Sequence, residues 1–284
     1  MNKKLIALAV AGAVALPGVV MAEEAAPPPP PLTFNVGVVS DYLFRGISQT
    51  HGNPALQGGV DYAFSNGLYV GAWASNISWV KDWVGSGSTE IDVYGGYKGA
   101  ITADLGYDIG YITYNYPGHG SASPTNLANP NTQEVYAGLS YKWLSAKYSY
   151  ATSSHFVGWY GGPAMDQNTR GSNYLELNAN YDMGDGWTLI GHVGHQKVKN
   201  SEDPNNFGYR DASYTDYKVG VSKDVGFGVV TLVYSDTNTK GSCSSVGATN
   251  SYCWGTGGNS PAAPTGNFKD VSKGVAVLSF NKTF

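Results

Sequence analysis

Most of the side chains that could do chemistry in this sequence are carboxylates at every second position of short segments. Glu90 and Asp92, for example, alternate with the apolar Ile91 and Val93. In an extended strand, this spacing puts the carboxylates on one face and the apolar side chains on the other. Phasing all such segments in the same way collects these groups on one face: Asp41, Arg45, Asp61, Glu90, Asp92, Asp104, Asp108, Glu134, Lys147, Glu176, Asp182 and His192. Such a face either lines a water-filled path or is closed by pairing of its charges.

The histidines His192 and His195 invite a metal-binding or catalytic interpretation. They fall on opposite faces of one strand, so they cannot both ligate one ion, and no metal or cofactor is predicted. His195 falls on the apolar face, where it could serve a hydrolase acting on lipid. No motif places a serine and an acid around it, so this enzyme is only the third alternative.

The end of the chain, Gly274 to Phe284, indicates which kind of sheet carries these faces. Its apolar side chains alternate with polar ones, and it closes on an aromatic residue. This pattern is typical of the last strand of an outer-membrane β-barrel, and Phe284 resembles the signal that the barrel-assembly machinery reads. Lys282 departs from that signal, since an apolar or aromatic residue is usual at its position. The alternative is an edge strand of a soluble β-sandwich.

About twelve alternating strands follow one another along the chain. The first is predicted to be long, from Phe34 to Arg45. Ser65-Asn66-Gly67 and Gly184-Asp185-Gly186 have the composition of tight hairpin turns.

Short turns alternate with mostly longer loops, of which Thr237 to Lys273 is the longest. This asymmetry is typical of bacterial outer-membrane barrels, which have short periplasmic turns and long outer loops. A sheet with open edges would leave unsatisfied backbone groups in lipid. The predicted fold is therefore an all-β, transmembrane antiparallel β-barrel over residues 33–284.

The first residues of the chain predict export. Residues 1–22 have the form of a secretory signal peptide, with Lys3 and Lys4 ahead of an apolar stretch and Val20-Met21-Ala22 as a cleavage site. Residues 23–32 contain five consecutive prolines, which predict a stiff periplasmic spacer. The expected location is the outer membrane of a Gram-negative bacterium.

Composition narrows the function further. Loss of two lysines with the signal peptide leaves 15 basic residues against 21 acidic ones, a net charge of −6. This mild acidity argues against nucleic acid as a partner. The 21 tyrosines and 7 tryptophans in a chain of negative mean hydropathy, −0.22, fit a barrel whose side chains alternate between lipid and water.

The sequence has two cysteines, Cys243 and Cys253, and both fall in the last predicted outer loop. In an oxidising compartment two such cysteines usually pair, so they are predicted to form a disulfide that staples this loop.

Several stretches resemble the TorF-type porins. They begin with Asn35 to Thr50, NVGVVSDYLFRGISQT, and continue with Pro54 to Tyr62, Gly67 to Trp73, and Glu90 to Tyr97. The match is dense over the first hundred residues and looser afterwards. The resemblance implies an outer-membrane pore, and it carries over no catalytic residues.

The leading hypothesis is a passive outer-membrane channel for small hydrophilic solutes or ions, with an acidic lumen that prefers cations. The main alternative is a closed barrel that serves structure or surface interaction through its outer loops. The expected partners are outer-membrane lipid, the barrel-assembly machinery and small hydrophilic solutes.

Overall fold

The computed structural model describes residues 30–84, 86–119, 129–159, 168–201, 211–243, 249–255 and 268–284. The predicted signal peptide and most of the proline spacer lie outside these residues. The described chain contains the short helix α1 (Trp79–Val84), and none of its helices is long and apolar enough to cross a membrane. The strands are β1 (Leu32–Val39), β2 (Leu43–Phe44), β3 (Ile47–Ser48), β4 (Ala55–Ala63), β5 (Leu68–Asn76), β6 (Thr89–Ala100), β7 (Leu105–Asn115), β8 (Thr132–Tyr141), β9 (Leu144–Ala151), β10 (Asn173–Gly184), β11 (Trp187–Lys197), β12 (Tyr214–Asp224), β13 (Val229–Thr237), β14 (Cys253–Gly255), β15 (Phe268–Asp270) and β16 (Val275–Thr283).

Twelve of these strands form one closed antiparallel barrel, which confirms the predicted fold and strand number. Each barrel strand pairs with the next one along the chain. The ring closes where β1 pairs with β16 over Asn35–Val39, whereas β1 pairs with β4 over its whole length, Leu32–Val39. The terminal residue joins this seam, because the Phe284 amide nitrogen donates to the Phe34 carbonyl oxygen at 2.8 Å. The other strands form two small hairpin sheets, β2–β3 and β14–β15.

Tight turns occupy one end of the barrel and long connections the other, as predicted. Asp185 and Gly186, between β10 and β11, have φ angles of 51° and 75°. Left-handed backbone at both central residues is typical of the type I′ turn that closes two-residue hairpins. Gly67, between β4 and β5, has a φ of 93°. Helix α1 and the two hairpin sheets all belong to the long connections at the opposite end.

The outer surface of the barrel is apolar. Large side chains that alternate along the strands are open to the surroundings, among them Leu56 (62% exposed), Ile109 (58%) and Val219 (58%). Their sequence neighbours point inward, so the observed phase is the one that the period of two predicts.

The first strand is shorter than predicted. β1 ends at Val39, and the chain then turns into the barrel to form the β2–β3 hairpin, Leu43–Ser48. Local backbone geometry prevents a strand that runs through Arg45, since Arg45 and Gly46 have φ angles of 50° and 80° at the hairpin tip. Extended backbone cannot continue through such residues.

The apolar core lies at the long-connection end. Aromatic side chains from separate connections meet there, including Trp79 of α1 and Trp254 of β14, whose ring centroids are 6.1 Å apart. A residual cavity of about 30 Å³ lies among Phe44, Trp79, Phe156 and their neighbours. That is room for about one water molecule. We call this cluster the aromatic cap: Tyr42, Phe44, Trp79, Tyr116, Phe156, Tyr214, Tyr252 and Trp254.

Candidate functional site

The barrel interior is the place where polar and charged side chains meet. The predicted acids and bases of the wall strands stand on inward-facing positions of β4 and β6 to β11, and several are nearly fully buried. Glu134 is 0% exposed, Glu90 1% and Glu176 3%. Their role in lining a pore stays a prediction.

Arg45 crosses the interior from the tip of the β2–β3 hairpin. Its Nη1 and Nη2 donate to Glu134 Oε1 and Oε2 of β8 at 3.0 and 2.6 Å. Its Nη1 also donates to Gln196 Oε1 of β11 at 2.7 Å. The hairpin is anchored next to β1 and β4, whereas β8 and β11 lie across the ring from them. Arg45 therefore ties an inserted hairpin to the far wall.

Aromatic rings enclose the same guanidinium. Its central carbon is 4.3 Å from the ring centroid of Tyr174, 4.7 Å from that of Phe44 and 5.7 Å from that of Phe156. A planar guanidinium can stack on rings and bind a carboxylate with two nitrogens at once, which an ammonium cannot do. The contacts at this position therefore suit arginine and not lysine.

The hairpin tip also fits closely against β12 and β13. A Cβ at Gly46 would lie 2.8 Å from Asp216 Cβ and 2.9 Å from Thr237 Cγ2. Glycine is required both by this approach and by the left-handed φ. The hairpin is therefore seated on β12 and β13 while Arg45 reaches β8 and β11.

A second network surrounds His192. Its Nε2 is 2.8 Å from Asp216 Oδ2, and its Nδ1 is 2.6 Å from Asn178 Oδ1. Tyr174 donates from its hydroxyl to the other Asp216 oxygen, Oδ1, at 2.9 Å. These contacts link β10, β11 and β12 across the inner face.

Lys147 extends that network to β9. Its Nζ is 2.9 Å from Glu176 Oε1, and both side chains are largely buried. Asn178 Nδ2 donates to Glu176 Oε2 at 3.1 Å. The amide of Asn178 thus connects the Lys147–Glu176 ion pair with His192.

A third group lies on β4 to β8. Tyr69 donates to Asp108 Oδ1 at 2.7 Å and also contacts the Tyr136 hydroxyl. Tyr94 donates to Asp61 Oδ1 at 2.6 Å.

Glu90 and Asp92 form a further pair on the inner face of β6, beside the aromatic cap. Tyr116 donates to Glu90 Oε1 at 3.5 Å, a long hydrogen bond.

The structure corrects the placement of two predicted residues. Asp104 lies in the turn before β7, where its Oδ2 is 3.7 Å from Lys142 Nζ, because β7 begins only at Leu105. It is therefore at the barrel end and not on the inner wall. Asp41 follows the end of β1 and accepts hydrogen bonds from the hydroxyls of Ser48 (2.6 Å) and Thr50 (3.0 Å). Burial raises the pKa of the Asp41 carboxyl, and these hydrogen bonds oppose the rise.

Water access changes along the inner face of β10. Tyr174 and Glu176 are buried, Asn178 is partly exposed, and Asn180 and the predicted site residue Asp182 are exposed. Water therefore reaches this wall from the tight-turn end and is excluded at the level of Glu176.

Some residues of the networks were missed from the sequence, namely Asp216, Gln196, Tyr69, Tyr136 and Tyr174. A signal was available on β12, where Tyr214, Asp216 and Lys218 alternate with Thr215 and Tyr217. Tyrosines gave no comparable signal, because they occur on both faces of the barrel.

Among the described residues, the two histidines that contact a serine or threonine hydroxyl, His195 and His51, do not have the geometry of a serine hydrolase. His195 points outward and its Nδ1 lies 3.0 Å from Thr215 Oγ1. His51 Nδ1 lies 2.6 Å from Asp82 Oδ2 and 3.0 Å from Ser78 Oγ. A serine hydrolase needs the serine and the acid on opposite ring nitrogens.

The disulfide between Cys243 and Cys253 is present, as predicted, with its Cα atoms 5.2 Å apart. It joins the connection after β13 to β14, so it lies at the long-connection end.

A closed antiparallel barrel with an apolar outside and a charged inside has the architecture of a transmembrane β-barrel. The chain belongs to the family described as "Bacterial protein of unknown function (Gcw_chp)", whose model matches residues 22–254. That description does not mention TorF-type porins, so this resemblance stays a prediction.

Solved structures with a similar fold include outer-membrane porins. The KdgM porin is 8% identical, with a TM-score of 0.48 over 89% of this chain and 99% of that one. The NanC porin is 11% identical, with a TM-score of 0.46 over 89% and 97%. Pseudomonas aeruginosa OprD is 11% identical, with a TM-score of 0.40 over 89% and 66%. No functionally curated protein matches the chain.

Proposed function

We propose that this protein is an outer-membrane channel for small hydrophilic solutes, closed in the present conformation by the β2–β3 hairpin. The observation that carries the proposal is the position of Arg45. The group that bridges the interior belongs to an inserted hairpin and not to the wall, so displacement of one short segment would open the path.

The outer-membrane location is supported by strand length and by the outer surface. Barrel strands run from 8 residues in β1 to 12 residues in β6. Tilted strands of roughly 9–11 residues cross the apolar part of a bilayer. The exposed belt of Leu, Ile, Val and Tyr side chains would be too large an apolar patch for a protein in water.

A preference for cations is a finer part of the proposal. Three buried contacts match an acid with a base: Arg45 with Glu134, Lys147 with Glu176, and His192 with Asp216. The β4–β7 side has a surplus of acids instead, since Asp61, Glu90, Asp92 and Asp108 face inward there with Lys98 as the inward base among the described residues. A narrow acidic lumen concentrates cations, because low-dielectric walls focus the field.

Conductance in planar bilayers tests the proposal. Wild-type protein should give small or rare openings, and replacement of residues 43–48 by a glycine-serine linker should give larger and longer ones. Arg170→Ala is the matched control, because this arginine is exposed and outside the interior. A barrel that stays silent with the hairpin removed, although folded, would contradict channel function.

A closed barrel that works through its outer connections is the second candidate. The aromatic cap favours it, because burial of Trp79 and Trp254 gives the long connections a rigid core of their own. Absence of conductance from wild type and from every hairpin variant, with the barrel folded, would support this function.

A further inference from the structure

Three buried side-chain oxygens on β4 and β6, the strands on either side of β5, have no hydrogen-bond partner: Gln57 Oε1, Glu90 Oε2 and Asp92 Oδ1. The side chains are nearly inaccessible, with exposures of 4%, 1% and 6%. An unpaired buried acceptor costs about 1–3 kcal/mol, and more when it is charged. Three such oxygens on one part of the wall would be stabilised by a positive group.

The strand register brings the three side chains together. Gln57 of β4 is paired with Ser75 of β5, and Ser75 is paired with Glu90 of β6. Asp92 follows Glu90 by two residues, so it shares the inward face. Gln57 and Glu90 therefore lie on either side of the small Ser75 in one row of the wall.

Hydrogen bonds fix which oxygens are left free. Gln57 Nε2 donates to Ser75 Oγ at 3.3 Å, so the amide lies along the row with Oε1 unused. The Tyr116 hydroxyl donates to Glu90 Oε1 at 3.5 Å, and the Tyr42 hydroxyl is also directed to this carboxyl, but Oε2 has no hydrogen bond of normal geometry.

No basic side chain neutralises the two carboxylates within the described part of the chain. Arg45, the base inserted by the hairpin, is engaged by Glu134 and Gln196. Lys98, on the same strand face, lies 5.2 Å from the ring centroid of Tyr69. Two buried carboxylates on one strand repel each other unless a cation or a proton lies between them.

We propose that Glu90, Asp92 and Gln57 bind one divalent hard cation, for which calcium is the best fit. Calcium prefers carboxylate and amide carbonyl oxygens and tolerates irregular coordination completed by water. No cluster of three or more His, Cys, Asp and Glu side chains is placed to hold a metal among the described residues. The proposed site instead combines two carboxylates with one amide. It does not depend on whether the barrel conducts.

The experiment measures calcium retained by the folded barrel. Protein is refolded in detergent with calcium chloride or with a chelator, desalted and analysed for metal, and its thermal unfolding is recorded. Wild type should retain about one calcium ion per barrel and unfold at a higher temperature with calcium. Glu90→Gln and Asp92→Asn should each lose the ion, and Gln57→Leu should bind roughly ten- to a hundred-fold more weakly.

Asp104→Asn is the matched control, since it removes an acid in a turn far from the site and should retain calcium like wild type. Each substitution also changes the unfolding temperature by itself. Measuring wild type and variants in chelator gives this effect without calcium, and under that condition the site variants should be no less stable than wild type. Absence of calcium from folded wild type would overturn the proposal. So would an infrared band of a protonated carboxyl that Glu90→Gln abolishes, because the pair would then share a proton instead.

Discussion

Arg45 and Glu134 are 89 residues apart in the sequence, and their side chains form a two-pronged ion pair inside the barrel. Both are nearly inaccessible, with side-chain exposures of 6% and 0%. The pair joins an inserted hairpin to the opposite wall, so it couples the closed state of the interior to the stability of the fold.

Removal of one partner should destabilise the protein strongly. Arg45→Leu leaves the Glu134 carboxylate buried without its counter-charge, which costs about 3–5 kcal/mol. The double variant Arg45→Leu, Glu134→Leu should recover most of this loss, because no buried charge is left alone. Urea unfolding in detergent micelles measures both effects, with Arg170→Leu as an exposed control. Equal stability of Arg45→Leu and wild type would contradict the role of the pair.

Ion selectivity should depend on acids that face inward and not on acids in the turns. Neutralising Asp61 and Asp108 together should lower the preference for potassium over chloride, most clearly at low salt where screening is weak. Asp104→Asn should leave the preference unchanged, since Asp104 lies in a turn beside Lys142. Reversal potentials across a potassium chloride gradient measure the effect. An anion-selective wild-type pore would contradict the predicted cation preference of an acidic lumen.

The long connections should face the outside of the cell. An even number of strands puts both chain termini on the same side of the membrane as the tight turns, which is periplasmic in bacterial barrels. A peptide tag in the Thr237 to Lys273 connection should therefore be labelled on intact cells, whereas a tag beside Pro27 should not. The opposite labelling would reverse the topology.

The terminal residue should assist assembly. Its backbone pairs with Phe34 at the seam, and its ring is 61% exposed on the outer surface. Deletion of Phe284 should lower the amount of protein in the outer membrane and leave more in the periplasm. Phe284→Ala separates the two contributions, since it keeps the backbone pairing and removes the ring. Normal levels of both variants, measured by fractionation and immunoblotting, would exclude the assembly signal.

The wall of the barrel could be predicted because its pattern is local. Alternation along β6 or β10 fixes which side chains share a face, whatever strand lies beside them. Asp108 and Glu176 were therefore assigned to the correct face without any knowledge of their partners. Tight turns were equally predictable, since Asp185-Gly186 has the residue types that a left-handed turn requires.

The closed interior could not be predicted, because its decisive contacts are between distant residues. Tyr42 and Phe44 alternate with Asp41 and Arg45 in the same way as the residues of β1, so the pattern predicted a longer strand. Gly46 was the one local sign of a turn. Nothing in the sequence pairs Arg45 with Glu134, or His192 with Asp216, because those contacts arise only once the ring has closed.

The seam between β1 and β16 has a consequence for the order in which the molecule forms. Every other pairing in the ring joins strands that follow one another along the chain, whereas contacts at the seam, such as Leu278 N with Ser40 Oγ, span 238 residues. Contacts between such distant residues form late, because the chain between them must first be ordered. The β2–β3 hairpin is made from residues that immediately follow β1, and its pairing joins residues at most five apart, so it can form well before the seam. The ring thus closes around a plug that the earliest part of the chain has already supplied, and no later step has to thread it through a finished wall.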